Sequence, residues 1–80
     1  MKYRLFEDVV LAKELPEKRL EEGDIATVVE YHPVSDGEDG YSLEVFNAVG
    51  DTIAVITVPE SYIVTLTKDE ILTVRLLATG

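Results

Sequence analysis

The sequence predicts a small all-β domain, a sandwich or barrel of five to six short antiparallel strands, on three observations. Short runs rich in Val, Ile, Thr and aromatic residues recur along the chain. Clusters of Gly, Pro, Asp and Ser separate them. No window sustains the apolar period of an amphipathic helix. The 80 residues leave room for one domain, and a hydrophobic content of 46% is enough for one core. Residues 1–80 are therefore read as a single domain.

The elements follow in order. "DVVLAKEL", residues 8–15, is the first strand, and Pro16, which lacks a backbone donor, ends its pairing. "PEKRLEEGD" has helix-forming residues but only Leu20 as an apolar anchor, so one helical turn or a loop is expected over the surface. "DIATVVEYH" is the second strand, with Ile25, Thr27, Val29 and Tyr31 on one face and Ala26, Val28, Glu30 and His32 on the other. Gly23 stands where the turn into this strand needs a positive φ, and Asp24 is placed to bond nearby amides. "PVSDGEDG", residues 33–40, is an exposed hairpin loop. "YSLEVFNA" is the third strand, and Gly50-Asp51 closes a tight hairpin into the fourth, "TIAVITV".

A single helical turn is expected near residues 59–62, then a fifth strand from Ile63 to Leu66 and a turn at "TKDE". The β-branched "ILTVRLL", residues 71–77, reads as a sixth strand, making 67–80 an extra C-terminal strand. It has two destinations: closing the chain's own sheet, which is favoured, or pairing with a second copy in weak self-association. Val9, Leu11, Val28, Val29, Leu43, Val45, Ile53 and Val55 are expected to supply much of the core.

Charge excludes more than it assigns. Sixteen acidic residues face seven basic ones, a formal net charge of −9. The basic residues Lys2, Arg4, Lys13, Lys18, Arg19, Lys68 and Arg75 are scattered, and Glu14, Glu17, Glu21 and Glu22 surround the one adjacent pair. Nucleic-acid binding rests on clustered Lys and Arg that neutralise phosphates, so nucleic acid is not an expected partner. The basic start "MKYR" is interrupted by Glu7 and Asp8 before a leader-like apolar stretch develops, and no run is long enough to span a bilayer. A cytoplasmic protein without a membrane partner is expected. With no cysteine, thiolate metal sites and disulfides are excluded.

Candidates for chemistry are few. His32 is the one histidine and the default general base, with Ser35, Ser42 and Ser61 as hydroxyls, yet none sits in a nucleophile-elbow context. Beside Pro33, His32 reads as a solvated loop-edge residue. Asp36, Glu38 and Asp39 are hard oxygen donors, but their spacing misses the ordered ligands of a calcium loop, and a flexible solvated hairpin tip accounts for them. Tyr3, Phe6, Tyr31, Tyr41, Phe46 and Tyr62 read mostly as core or rim residues, with Tyr31 and Tyr41 paired across their loop. No catalytic, cofactor-binding or metal-ligating residue is assigned, and no cofactor is expected.

Taken together, Asp8-Val9, Leu15-Pro16, Gly23-Asp24, Thr27-Val28-Val29-Glu30, Glu44-Val45-Phe46 and Gly50 through Ala54 carry an ordered pattern. On these motifs the chain resembles a family of small bacterial proteins, domain of unknown function 4926, from about Leu5 to Leu66. Ala26 stands where the family commonly has glycine, and the acidic residue of the third strand, Glu44, comes one step early. The resemblance implies an SH3-like barrel and transfers no site residues, because the family carries no agreed activity. The expected function is a non-enzymatic protein-interaction or accessory module, its acidic surface meeting a protein partner with a basic surface. The alternative, a nucleic-acid-binding barrel, rests on "GDIATVV" and is opposed by the charge.

Overall fold

The computed structural model of the protein describes residues 1–77. Five strands, β1 (Asp8–Leu11), β2 (Ile25–His32), β3 (Gly40–Phe46), β4 (Thr52–Pro59) and β5 (Ile63–Thr65), form one antiparallel sheet in the order β4-β3-β2-β1-β5. Consecutive strands β1 to β4 pair with their neighbours through hairpins and one longer excursion, and β5 returns to the free side of β1. The expected helical turn is a 3-10 turn at Glu60–Tyr62, entered from Pro59.

The charged excursion between β1 and β2 contains one 3-10 turn, Pro16–Lys18. It is pinned at its base, where Leu15 and Leu20 exchange backbone hydrogen bonds of 2.9 and 3.1 Å. Leu20, the lone apolar anchor of the segment, is buried in the core. The hairpin from β3 to β4 closes as expected: the Asn47 carboxamide accepts from the amides of Val49 and Asp51, and Gly50 takes a φ of 90°.

Tyr3, Val9, Leu11, Leu20, Ala26, Val28, Tyr41, Leu43, Val45, Ile56, Val58 and Ile63 form the core cluster. Two bulges set which residues reach it. In the β2–β3 ladder, Val28 lies opposite Leu43 and Glu30 opposite Ser42, leaving Val29 as the extra residue. Val29 is only half-buried, and beyond it the alternation inverts, bringing Tyr31 onto the core side opposite Tyr41. In the β3–β4 ladder the shift falls at Ile53, between the pairs Val45–Ala54 and Phe46–Thr52.

The expected core therefore needs three corrections. Val29 leaves the core at its bulge. Ile53 and Val55 are 40% and 60% exposed, while Ile56 and Val58, on the opposite face of β4, are 5% and 4% exposed. The register explains this face: Tyr41, Leu43 and Val45 stand opposite Val58, Ile56 and Ala54.

The sixth strand is also corrected. Residues 71–77 form no strand, and Ile71 and Leu76 are 88% and 91% exposed. The segment does not join the chain's own sheet, the destination favoured above; residues 78–80 lie outside the described residues. The turn expected at "TKDE" does form, with Glu70 accepting the Thr67 amide at 2.6 Å and Thr67 accepting the Glu70 amide at 3.2 Å. Because every residue of the core cluster falls between Tyr3 and Ile63, deleting residues 68–80 should leave a folded domain. A loss of under about 1 kcal/mol in urea denaturation is expected. Unfolding on truncation would show that the tail completes the core after all.

Candidate functional site

The turn between the excursion and β2 builds an acidic notch. Gly23 adopts a φ of 97° and donates to the Leu11 carbonyl, while Leu11 donates to the Asp24 carbonyl, both at 2.8 Å. This pairing fixes the backbone, and the Asp24 side chain then accepts the Glu21 amide at 2.8 Å. Asp24 and Glu21 are thereby held side by side against the end of β1.

The notch holds a guanidinium from the far end of the chain. Arg75 Nε donates to Asp24 Oδ1 at 2.8 Å, and Arg75 Nη2 donates to Asp24 Oδ2 in the second arm of a fork. Nη2 also donates to the Arg19 carbonyl at 3.2 Å, and Nη1 faces Glu21 Oε2 at 3.5 Å. Burial works to raise the Asp24 carboxyl, but the Arg75 hydrogen bond, the Glu21 amide and the nearby positive charge outweigh it and hold it below the ordinary aspartate value. A depressed folded-state value means that the contact's stabilisation is present above the unfolded carboxyl's titration and is lost as pH falls through the folded one. The Arg75 Nε–H resonance should therefore shift to that of a free guanidinium only as pH falls below the ordinary aspartate range, with the amides of the core strands unmoved. An Arg75 resonance unchanged down to acid unfolding would contradict this.

Between the turn at residues 67–70 and Arg75 the tail arches over the body as a strap. It walls a cleft of about 880 Å³ whose body side includes Leu20, Ile25, Phe46 and Ile53. The rim carries Glu21, Glu22, Asp24 and Glu70. Phe46 and Ile53 are partly exposed there, at the bulged end of the β3–β4 hairpin. The site is an acidic rim over an apolar floor.

Sequence comparison separates the two walls of this cleft. Residues 5–65 match the family described as Domain of unknown function (DUF4926). The chain belongs to this family. No curated protein and no solved structure matches it significantly. The DUF4926 body ends with β5 at Thr65, so the floor of the cleft comes from the family domain and the strap from residues beyond the match.

The residues weighed for chemistry lie elsewhere on the DUF4926 body. His32 is the last residue of β2 and is bonded rather than simply solvated: its Nε2 lies 2.8 Å from Ser42 Oγ, which lies 2.9 Å from Thr57 Oγ1. Glu30 Oε1 is 3.8 Å from the same Nε2. A nucleophile relay needs the serine and the acid on opposite ring nitrogens. Here both face one nitrogen, and the serine hydroxyl is shared with a threonine across the sheet. Ser35 and Ser61 do not join this group; the Ser61 amide and hydroxyl bind Glu38 at 2.7 and 3.1 Å.

The acidic loop is pinned, in contrast to the flexible tip expected of it. Besides Glu38 on Ser61, Asp39 accepts the Tyr31 hydroxyl at 2.6 Å and the Val34 amide at 3.0 Å. The Asp39 bond pushes the Tyr31 hydroxyl up to about 12, and the same bond, with the Val34 amide, holds Asp39 below its ordinary value. Among the described residues no three His, Cys, Asp or Glu side chains converge in a metal-binding group. Tyr31 and Tyr41 pair as expected, with ring centroids 5.3 Å apart, and Tyr3 packs edge-on against Tyr41 at 5.4 Å.

Sequence reasoning missed Arg75 and Phe46 as cleft residues. In the sequence Asp24 carries only the signal of a turn. The available signal was modest: Arg75 is the one charge in an otherwise apolar run, and such a charge needs a carboxylate partner wherever the run is packed.

Proposed function

We propose that this DUF4926 chain is a non-enzymatic protein-interaction module on an SH3-like barrel, meeting a basic protein partner at the acidic cleft. The meander order, with β5 returning to β1 after a 3-10 turn, supports the barrel reading. The observation that carries the function is the cleft itself, where four carboxylates rim partly exposed Phe46 and Ile53. Apolar surface gives affinity on contact, and the surrounding charge selects a partner of opposite sign and steers its approach. The His32–Ser42 geometry supports a structural role for the outer-face hydroxyls rather than catalysis. Among the described residues no helix is long and apolar enough to cross a membrane.

A photo-crosslinking side chain at Phe46 tests this reading against the same group at Val64, on β5. Capture of one protein partner from Phe46 and not from Val64 is expected in the native host. Equal capture from both positions would overturn the cleft as the interface. The net charge of −9 supports a second expectation: no salt-sensitive association with duplex DNA or single-stranded RNA at physiological ionic strength. A mobility-shift assay showing micromolar, salt-weakened binding would favour the nucleic-acid alternative instead.

A further inference from the structure

The strap is held in an unequal way. Its one charged group between residues 71 and 77 is fully engaged, whereas Ile71, Leu72, Val74 and Leu76 remain largely exposed. An extended segment that pairs its charge and leaves its aliphatic side chains in water gains little from the hydrophobic effect. Its docking rests on the guanidinium. Arg75 stays open to solvent, where water and salt screen its ion pairs, so a competing arginine can displace the strap.

We propose that the Asp24 notch is an arginine-reading site, and that its partner is an extended protein segment carrying an arginine among aliphatic residues. Arg75 and the strap occupy the site in the partner's absence. The inference rests on the interaction reading above and specifies its ligand. Three features of the notch select arginine over lysine. Both Asp24 oxygens are met by two nitrogens of one planar group, the Arg19 carbonyl takes a further proton from Nη2, and Glu21 faces Nη1. An ammonium's three N–H bonds diverge from one atom, so it has no parallel pair for the two Asp24 oxygens and lacks the span to reach the Arg19 carbonyl and Glu21 as well. The aliphatic neighbours follow from the floor: a segment entering from outside can turn its apolar side chains down onto Phe46 and Ile53, which the strap leaves partly exposed.

Charge complementarity selects this occupant over a second copy of the chain. Each copy carries −9, so two copies brought together at an acidic rim repel one another. A basic segment from another protein neutralises the same rim.

The test uses the full chain and a blocked peptide of residues 71–77, with its arginine intact or changed to lysine. In the wild-type protein the strap competes. Arg75→Gln frees the notch, and the peptide should bind this variant about 10-fold more tightly than wild type. The lysine peptide should bind Arg75→Gln about 10-fold more weakly than the arginine peptide, and adding Asp24→Asn should abolish the difference between them. Adding the arginine peptide to wild-type protein should move the Arg75 Nε–H resonance, a readout that requires no variant to fold. Equal binding to wild type and Arg75→Gln would show that strap and peptide do not share a site, and equal binding of the two peptides would refute arginine reading. Absence of peptide binding to Arg75→Gln would overturn the inference while leaving the Phe46 crosslink to judge the interaction reading on its own. Concentration-dependent dimerisation of the wild-type chain, abolished by Arg75→Gln, would assign the site to a second copy's tail, also against the proposal.

Discussion

Replacing Leu43 with alanine should destabilise the protein by roughly 2–5 kcal/mol, while the same replacement at Val55 should cost under about 0.5 kcal/mol. Leu43 is fully buried at the centre of the sheet, opposite Val28 on one side and Ile56 on the other. Removing its side chain forfeits transfer free energy and leaves a cavity that the paired backbone on both sides prevents from collapsing. Val55 lies one strand away, opposite Glu44, with its side chain on the solvent face. An 80-residue domain has a total stability of order 5–15 kcal/mol, so the Leu43 change removes a large fraction of it. Paired urea titrations with unchanged slopes provide the measurement. Similar losses at Leu43 and Val55 would mean that β4 presents its other face to the core.

That contrast marks where the sequence could be read and where it could not. The strand runs, the turns at Gly23 and Gly50 and the helical turn before β5 are legible because each depends on local chemistry. The face of β4 is not. "TIAVITV" carries apolar residues at both parities, Ile53 and Val55 on one and Ala54, Ile56 and Val58 on the other. Strand alternation cannot choose between two apolar faces. The choice is made by pairing with β3, and the bulge at Ile53 moves the register at the point where the pattern would be counted from. Val29 fails as a core residue for the same reason.

The tail misled differently. "ILTVRLL" has strand composition, but composition does not supply an edge to pair with. The sheet ends at β5, only three residues long, and the segment passes it to reach the Asp24 turn. The pairing of Arg75 with Asp24 spans 51 positions and has no spacing signature. The His32–Ser42 contact was nearer to reach, since both residues flank one hairpin loop. Placing the histidine on the serine's face required knowing the bulge at Val29.

Tyr41 offers the second large effect, because one hydroxyl there ties three segments together. Its ring is fully buried between Tyr3 and Tyr31. Its oxygen accepts the amides of Lys2 at 3.0 Å and Tyr3 at 3.2 Å, and its proton points to Glu60 Oε2 at 3.4 Å. Tyr41→Phe keeps the ring and its packing but removes the acceptor, leaving the Tyr3 amide in a buried position without its partner. Such a loss costs about 1–3 kcal/mol. The effect should be uneven along the chain. Tyr3 still has its hydroxyl on the Ile63 carbonyl at 3.0 Å, so its ring remains anchored at one end while the backbone of residues 2 and 3 is released. Amide exchange at Lys2 and Tyr3 should therefore accelerate well beyond the change in global stability, and exchange at Val28 and Leu43 should follow the global change alone. A Tyr41→Phe variant within about 0.5 kcal/mol of wild type, with unchanged exchange at Tyr3, would show that water replaces the hydroxyl and that ring packing alone holds the N-terminal segment over the core.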